Sequence, residues 1–146
     1  MSGLVFIDTN VPAYARDDRE PLKGARAREW LDALWRARTG RTSYQVLIEY
    51  YRVVTHKFRP GIPVAEAQAD VRQLLLWDPV APSAALLDEA WVVHDRFGLQ
   101  WYDTLIVAAA HIAGARYLLS EDFQHGQRFG ELSVVNPFLA LPSDLD

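Results

Sequence analysis

Four acidic side chains stand apart from the rest by their surroundings: Asp8, Glu49, Asp103 and Asp122. Asp8 closes the apolar run LVFI. Glu49 lies inside SYQVLIEYYRVV, flanking a stripe of Val46, Tyr50 and Val53. Asp103 opens WYDTLIVAAAHIA, on the stripe continued by Ile106, Val107 and Ala110. Asp122 follows RYLLS. The other acids sit in polar clusters, such as Asp17, Asp18 and Glu20, or on outer faces, such as Asp88 and Glu89. Taken one at a time, each of the four has an ordinary role. Asp103 can stabilise a helix N-terminus, Asp122 can serve a turn, Asp8 can cap a helix, and Glu49 can face solvent. Gathered together they would do chemistry. Two carboxylates ~4 Å apart repel by roughly 4 kcal/mol at an effective dielectric of 20. Such a group takes up protons or holds cations. With no cysteine in the chain, and no histidines at H-x-x-x-H spacing, an oxygen-only set points to Mg²⁺ or Mn²⁺ and to phosphoryl chemistry.

The elements that must position these groups follow from the apolar pattern. LVFI, RYLLS and LSVVNP read as short, fully buried strands, and GRTS as a candidate fourth. Pro12 suits the first turn of a helix. Pro21 opens a longer helix carrying Ala27, Trp30, Leu31, Leu34 and Trp35, with Gly40 as its expected end. Ser43 is an N-cap candidate for SYQVLIEYYRVVTHKF. EAQADVRQLLLW and ALLDEAWVVHDRF continue as helices, the latter closed by Gly98. WYDTLIVAAAHIA is apolar on nearly every side and ends at Gly114, which predicts a buried helix. WDPVAP reads as a short strand or turn. Buried strands alternating with helices predict an α/β fold with a mostly parallel sheet. In such sheets the carboxyl ends of strands are where sites form, and Asp8 and Asp122 both stand at such ends.

The segments IDTN, VLIEYYRV, WYDTLIVAAA and LLSEDFQHG, in this order, resemble a PIN domain, and more closely the VapC-type toxins of bacterial toxin–antitoxin pairs. The resemblance runs from Leu4 to Pro137. It implies a three-layer α/β/α domain over residues 1–146 and a metal-dependent endoribonuclease. Asp8, Glu49, Asp103 and Asp122 would surround one or two Mg²⁺ or Mn²⁺ ions, with Asp8 and Asp103 as direct ligands. Ser120 matches a hydroxyl position beside the metal site, and Thr9 and Asn10 match site-lining positions. Asp122 rather than Glu121 matches the family acid. Gln100 stands where relatives often carry serine. The resemblance also implies an RNA substrate, a cognate small antitoxin and a homodimer. The aromatic and aliphatic residues Trp30, Leu34, Trp35, Tyr50 and Tyr51 are the expected surplus that a partner helix would cover.

Composition sets bounds on this reading. A chain of 146 residues, half of them apolar, is the size of one domain that buries roughly 68–70% of its unfolded surface. No apolar run is long enough for a bilayer and no signal-peptide pattern is visible, so the expected location is the cytoplasm, away from membranes. Net charge is −4, unevenly spread: residues 1–60 carry 11 Lys/Arg against 7 Asp/Glu, and residues 61–146 carry 4 against 12. The arginine-rich first half can hold phosphates flanking an acidic centre. Tryptophans on apolar faces read as core, and His56, His94 and His111 as packing or surface groups. His125 reads as an exposed loop residue.

Rival readings are poorer. A dehalogenase-type phosphatase needs D-x-D, and Asn10 occupies the second position. A receiver domain needs paired acids after its first strand and a lysine after its last, and neither is present. A PIN-like RNA- or protein-binding module without catalysis is the remaining alternative, although all four acids are retained.

Overall fold

A computed structural model describes residues 3–145. The strands are β1 (Val5–Ile7), β2 (Gly40–Arg41), β3 (Tyr117–Leu119), β4 (Arg128–Phe129) and β5 (Leu132–Val135). The helices are α1 (Asn10–Ala15), α2 (Pro21–Ala37), α3 (Tyr44–Arg52), α4 (Val64–Leu74), α5 (Ala84–Phe97) and α6 (Trp101–Ile112). The strands form one five-stranded sheet in the order β2-β1-β3-β5-β4. All neighbours pair in parallel except β4, which runs antiparallel to β5 at the edge. This is the mostly parallel α/β architecture expected from the sequence.

Side chains alternate across each strand, so these apolar tripeptides feed two cores at once. Phe6, Leu118 and Val134 face a cluster with Val93 of α5 and with Ile106, Val107 and Ala110 of α6. Val5, Ile7, Leu119 and Val135 face Val11 of α1 and Ala27, Trp30 and Leu34 of α2. Each large aliphatic side chain fully buried in these layers contributes about 1.5–3 kcal/mol. Helix α3 bridges the two: Val46 joins the first cluster, Leu47 the second, and Tyr50 packs with Ala13, Val54 and Ala67.

Several helix boundaries follow local chemistry. The Ser43 Oγ accepts a hydrogen bond from the Val46 amide at 3.3 Å, capping α3 as expected. Gly98 closes α5 with φ +63° and Gly114 follows α6 with φ +72°, both in the left-handed region. Gly40 does not end α2. That helix ends at Ala37 with Arg38 in the left-handed conformation, and Gly40 lies in β2, where a Cβ would stand 2.4 Å from the Trp77 ring. The glycine is there to admit an indole. The run predicted as one helix through Phe58 leaves the α-helical path after Arg52 and makes a π-helical turn, Val53–Lys57. The two-residue strand β4 was too short to give a periodic signal.

The expected aromatic surplus is also placed differently. Trp30, Leu34 and Tyr50 are core, each 0–1% exposed. Exposed apolar residues instead include Ile48 on α3, Leu87, Trp91 and Val92 on α5, and Tyr102 on α6, with Trp35 at the margin. Helical periodicity shows that a residue is on an apolar face but not whether the chain itself covers that face. Among the described residues no helix is long and apolar enough to cross a membrane.

Candidate active site

The parallel ladder does not stop where the strands end. The Asp8 amide donates to the Leu119 carbonyl at 3.0 Å, and the Ser120 amide donates to the Val135 carbonyl at 3.0 Å. Asp8 and Ser120 are therefore fixed by sheet hydrogen bonds one step past β1 and β3. From β1 the chain moves by way of α1 and α2 to β2 on one side, while β3 lies on the other. The crevice at this switch point is where open parallel sheets bind ligands.

Asp8 is 6% exposed. One oxygen accepts from the Thr9 amide at 2.7 Å and the other from the Ser120 hydroxyl at 2.7 Å. Burial pushes its carboxyl up from the usual 3.8 to about 6, against the pull of the Ser120 and Thr9 hydrogen bonds, and the charges of Asp122 and Glu49 add to the rise. Ser120 is saturated. While donating to Asp8, its Oγ accepts from Asn10 Nδ2 at 3.2 Å and from the Asp122 amide at 3.0 Å. Asn10 ties the loop together: its amide donates to Asp122 at 3.3 Å, and its Oδ1 accepts from the Glu121 amide at 3.2 Å. Asn10 and Ser120 thus act as a bracket between β1 and β3 rather than as caps or turn residues.

Asp103 sits in the first turn of α6. Gln100 caps that helix by accepting from the Asp103 amide at 3.0 Å. The Asp103 carboxyl is raised, first by burial and then by the charge of Asp122. Glu49 is exposed on α3 and lines a cleft of about 270 Å³ with Thr9, Asn10, Asp17, Phe58, Glu121 and Asp122, among others. The side chains of Glu49 and Asp103 make no hydrogen bond or ion pair among the described residues. The four acids come from four separate elements: Asp8 after β1, Glu49 in α3, Asp103 in α6 and Asp122 after β3. They are linked electrostatically, Asp8 with Asp122 and Glu49, and Asp103 with Asp122.

Among the described residues, no three acidic or histidine side chains are gathered closely enough to hold an ion between them. The four acids offer only oxygen donors, the ligand type that hard divalent cations take, and the buried Thr9 hydroxyl next to Asp8 has no hydrogen-bond partner among the described residues.

The family model of the PIN domain matches residues 5–128. The chain belongs to the PIN-domain family. The solved structures it resembles include a toxin–antitoxin complex from Klebsiella pneumoniae, at 16% identity and a TM-score of 0.63, covering 91% of this chain and 97% of that one. They also include VapC20 of Mycobacterium tuberculosis, described as a toxin that cleaves the sarcin–ricin loop, at 19% identity and a TM-score of 0.52, covering 81% and 89%. At these identities the likeness is one of fold. No curated protein sequence matches the chain.

Sequence reasoning did not find two groups that this PIN domain brings to the crevice. Tyr14 donates to Glu121 Oε1 at 2.7 Å, and Lys23 Nζ lies 2.5 Å from Glu121 Oε2. Burial draws the Glu121 carboxyl upward, but the hydrogen bonds from Lys23 and Tyr14 and the Lys23 charge outweigh it and hold it below the usual range. Tyr14 had a signal, since it stands one helical turn after Asn10. Lys23 had none, because its contact spans the sheet connection.

Proposed function

We propose that the protein is a Mg²⁺- or Mn²⁺-dependent endoribonuclease acting as the toxin of a VapBC-type toxin–antitoxin pair. The observation that carries this reading is Asp8. A carboxylate is buried at a strand end, held by two hydrogen bonds, and raised by burial and by two neighbouring acids. A protein keeps such a frustrated charge where a cation relieves it.

Asp8 and Asp103 are the direct ligands in this reading, with Glu49 and Asp122 acting through water or orienting the attacking water. A divalent cation bound there supplies neutralisation of the scissile phosphate and acidification of water. The residues of the chain do the rest. Ser120 and Asn10 hold Asp8 and Asp122 in register, and Thr9 lines the crevice. No side chain acts as a covalent nucleophile. In this reading the substrate is a single strand or loop of RNA taken at the cleft beside Glu49 and Asp122, and first-half arginines could hold flanking phosphates.

The partner reading is a small antitoxin together with a homodimer, in the cytoplasm. A largely apolar groove of about 710 Å³, lined by Ile48, Val80, Leu86, Leu87, Tyr102 and Leu105, runs beside Glu49. It supports a protein partner whose helix covers those side chains and whose basic residue reaches the acids.

The test is cleavage of total RNA by purified protein, with the new ends sequenced. Cutting that requires Mg²⁺ or Mn²⁺ and stops with EDTA is the expected result. Cutting that survives rigorous chelation overturns the mechanism.

A further inference from the structure

Two adjacent carboxylates, Glu121 and Asp122, follow β3, and both line the cleft. The structure treats them differently. Asp122 is exposed, and its carboxylate touches only the Asn10 amide among the described residues. Both oxygens of Glu121 are taken, one by the Tyr14 hydroxyl and one by the Lys23 ammonium. The ammonium is itself seated between two rings, 5.0 Å from the centroid of Tyr14 and 5.1 Å from that of Phe138. Those rings meet edge to face at 5.0 Å, so the cation rests on two aromatic faces. Gly24 makes the seat possible. A Cβ there would stand 3.1 Å from the Tyr14 carbonyl, so the glycine lets α2 approach α1 closely enough for Lys23 to cover the Tyr14 ring.

We propose that Lys23 is a positioning residue which, with Tyr14, occupies both oxygens of Glu121 at the crevice wall and so leaves Asp122 as the carboxylate free to act there. This rests on the reading of the crevice as a divalent-cation centre. In that reading Asp8, Glu49, Asp103 and Asp122 already supply four carboxylates, and a fifth left free would compete with Asp122 for the same ion. Without Lys23, Glu121 keeps only the tyrosine hydrogen bond and is free to swing inward.

The experiment measures Mn²⁺ affinity of RNA-free protein by electron paramagnetic resonance, beside RNA cleavage, for wild type, K23M, K23R, E121Q and K23M/E121Q. In K23M, Mn²⁺ should bind roughly threefold to tenfold more tightly, the effect of one added, partly screened charge on a divalent ion, while kcat falls. K23R should behave as wild type. K23M/E121Q should return both readouts to within about twofold of wild type, because the competing carboxylate is gone. A merely structural lysine would weaken both readouts in K23M, and E121Q would not restore them. That result overturns the inference, as does unchanged Mn²⁺ affinity in K23M. If K23M does not fold, E121Q decides alone: Mn²⁺ affinity near wild type supports the occupation of Glu121 by Lys23 and Tyr14, and a tenfold loss shows that Glu121 is a ligand. Wild-type protein that binds no Mn²⁺ fails the proposed function first, and the inference with it.

Discussion

The Ser120 hydroxyl donates to Asp8 across 2.7 Å, joining the residue after β3 to the residue after β1, 112 positions earlier. Both partners are buried, with Ser120 at 0% and Asp8 at 6% exposure. Because Ser120 Oγ already accepts from Asn10 and from the Asp122 amide, its single proton can only point at Asp8. The bracket therefore favours a carboxylate, rather than a carboxylic acid, at position 8.

Ser120→Ala removes the strongest hydrogen bond opposing the rise of Asp8. The Asp8 carboxyl should climb above about 6, so the acid limb of the cleavage profile should move to higher pH. Leaving the Asp122 amide without its acceptor, and the Asn10 amide with Asp122 alone, should also cost about 1–3 kcal/mol. A pH–rate profile and a urea melt check both. A variant with an unmoved acid limb would separate Ser120 from Asp8.

Stability without metal should fall as pH rises. Asp8 has a folded value of about 6 against the usual 3.8, so between these values the native state holds a proton that the unfolded state has lost. The protein is then most stable below about pH 4, as far as this group is concerned, and loses about 3 kcal/mol by the time pH passes 6. Asp8→Asn should abolish cleavage, flatten that dependence and raise the melting temperature in EDTA at pH 7.5. Thermal melts across pH 4–8 are the measurement, and full activity in the variant would reject Asp8 as a ligand.

Metal should stabilise most where Asp8 is ionised. Mg²⁺ or Mn²⁺ should raise the melting temperature clearly at pH 7.5 and little at pH 5, because binding must displace the Asp8 proton. Equal shifts at the two pH values would place the ion away from Asp8.

Gly40→Ala drives a methyl group into the Trp77 indole, 2.4 Å from the ideal Cβ. Ring and backbone are both packed, so relief needs a shift of β2 or of the Leu75–Trp77 turn, at a cost of about 1–3 kcal/mol. A urea midpoint that drops in the single variant, with a less-than-additive loss in Gly40→Ala/Trp77→Leu, checks the clash as a coupled pair.

The sequence by itself determined the two-layered burial of the sheet and the elements that carry the acids. LVFI, YLL and LSVV lack polar alternation, and only strands covered on both faces tolerate that pattern. Ser43 and Gly98 marked helix ends because their chemistry is local. Asp8 stood out because it ends an apolar run, although taken alone it could as well have capped the next helix. Tertiary structure alone decided what those acids meet. The bracket of Asn10 and Ser120, the seat of Lys23 on Tyr14 and Phe138, and the indole beside Gly40 each join residues far apart in the chain. Periodicity reports which face of an element is apolar; it is blind to what lies across the gap. That is why Trp30 proved to be core while Trp91 stayed in solvent, and why Glu121 and Asp122, neighbours of like charge in the sequence, meet different partners, Glu121 a lysine 98 residues away and Asp122 the Asn10 amide.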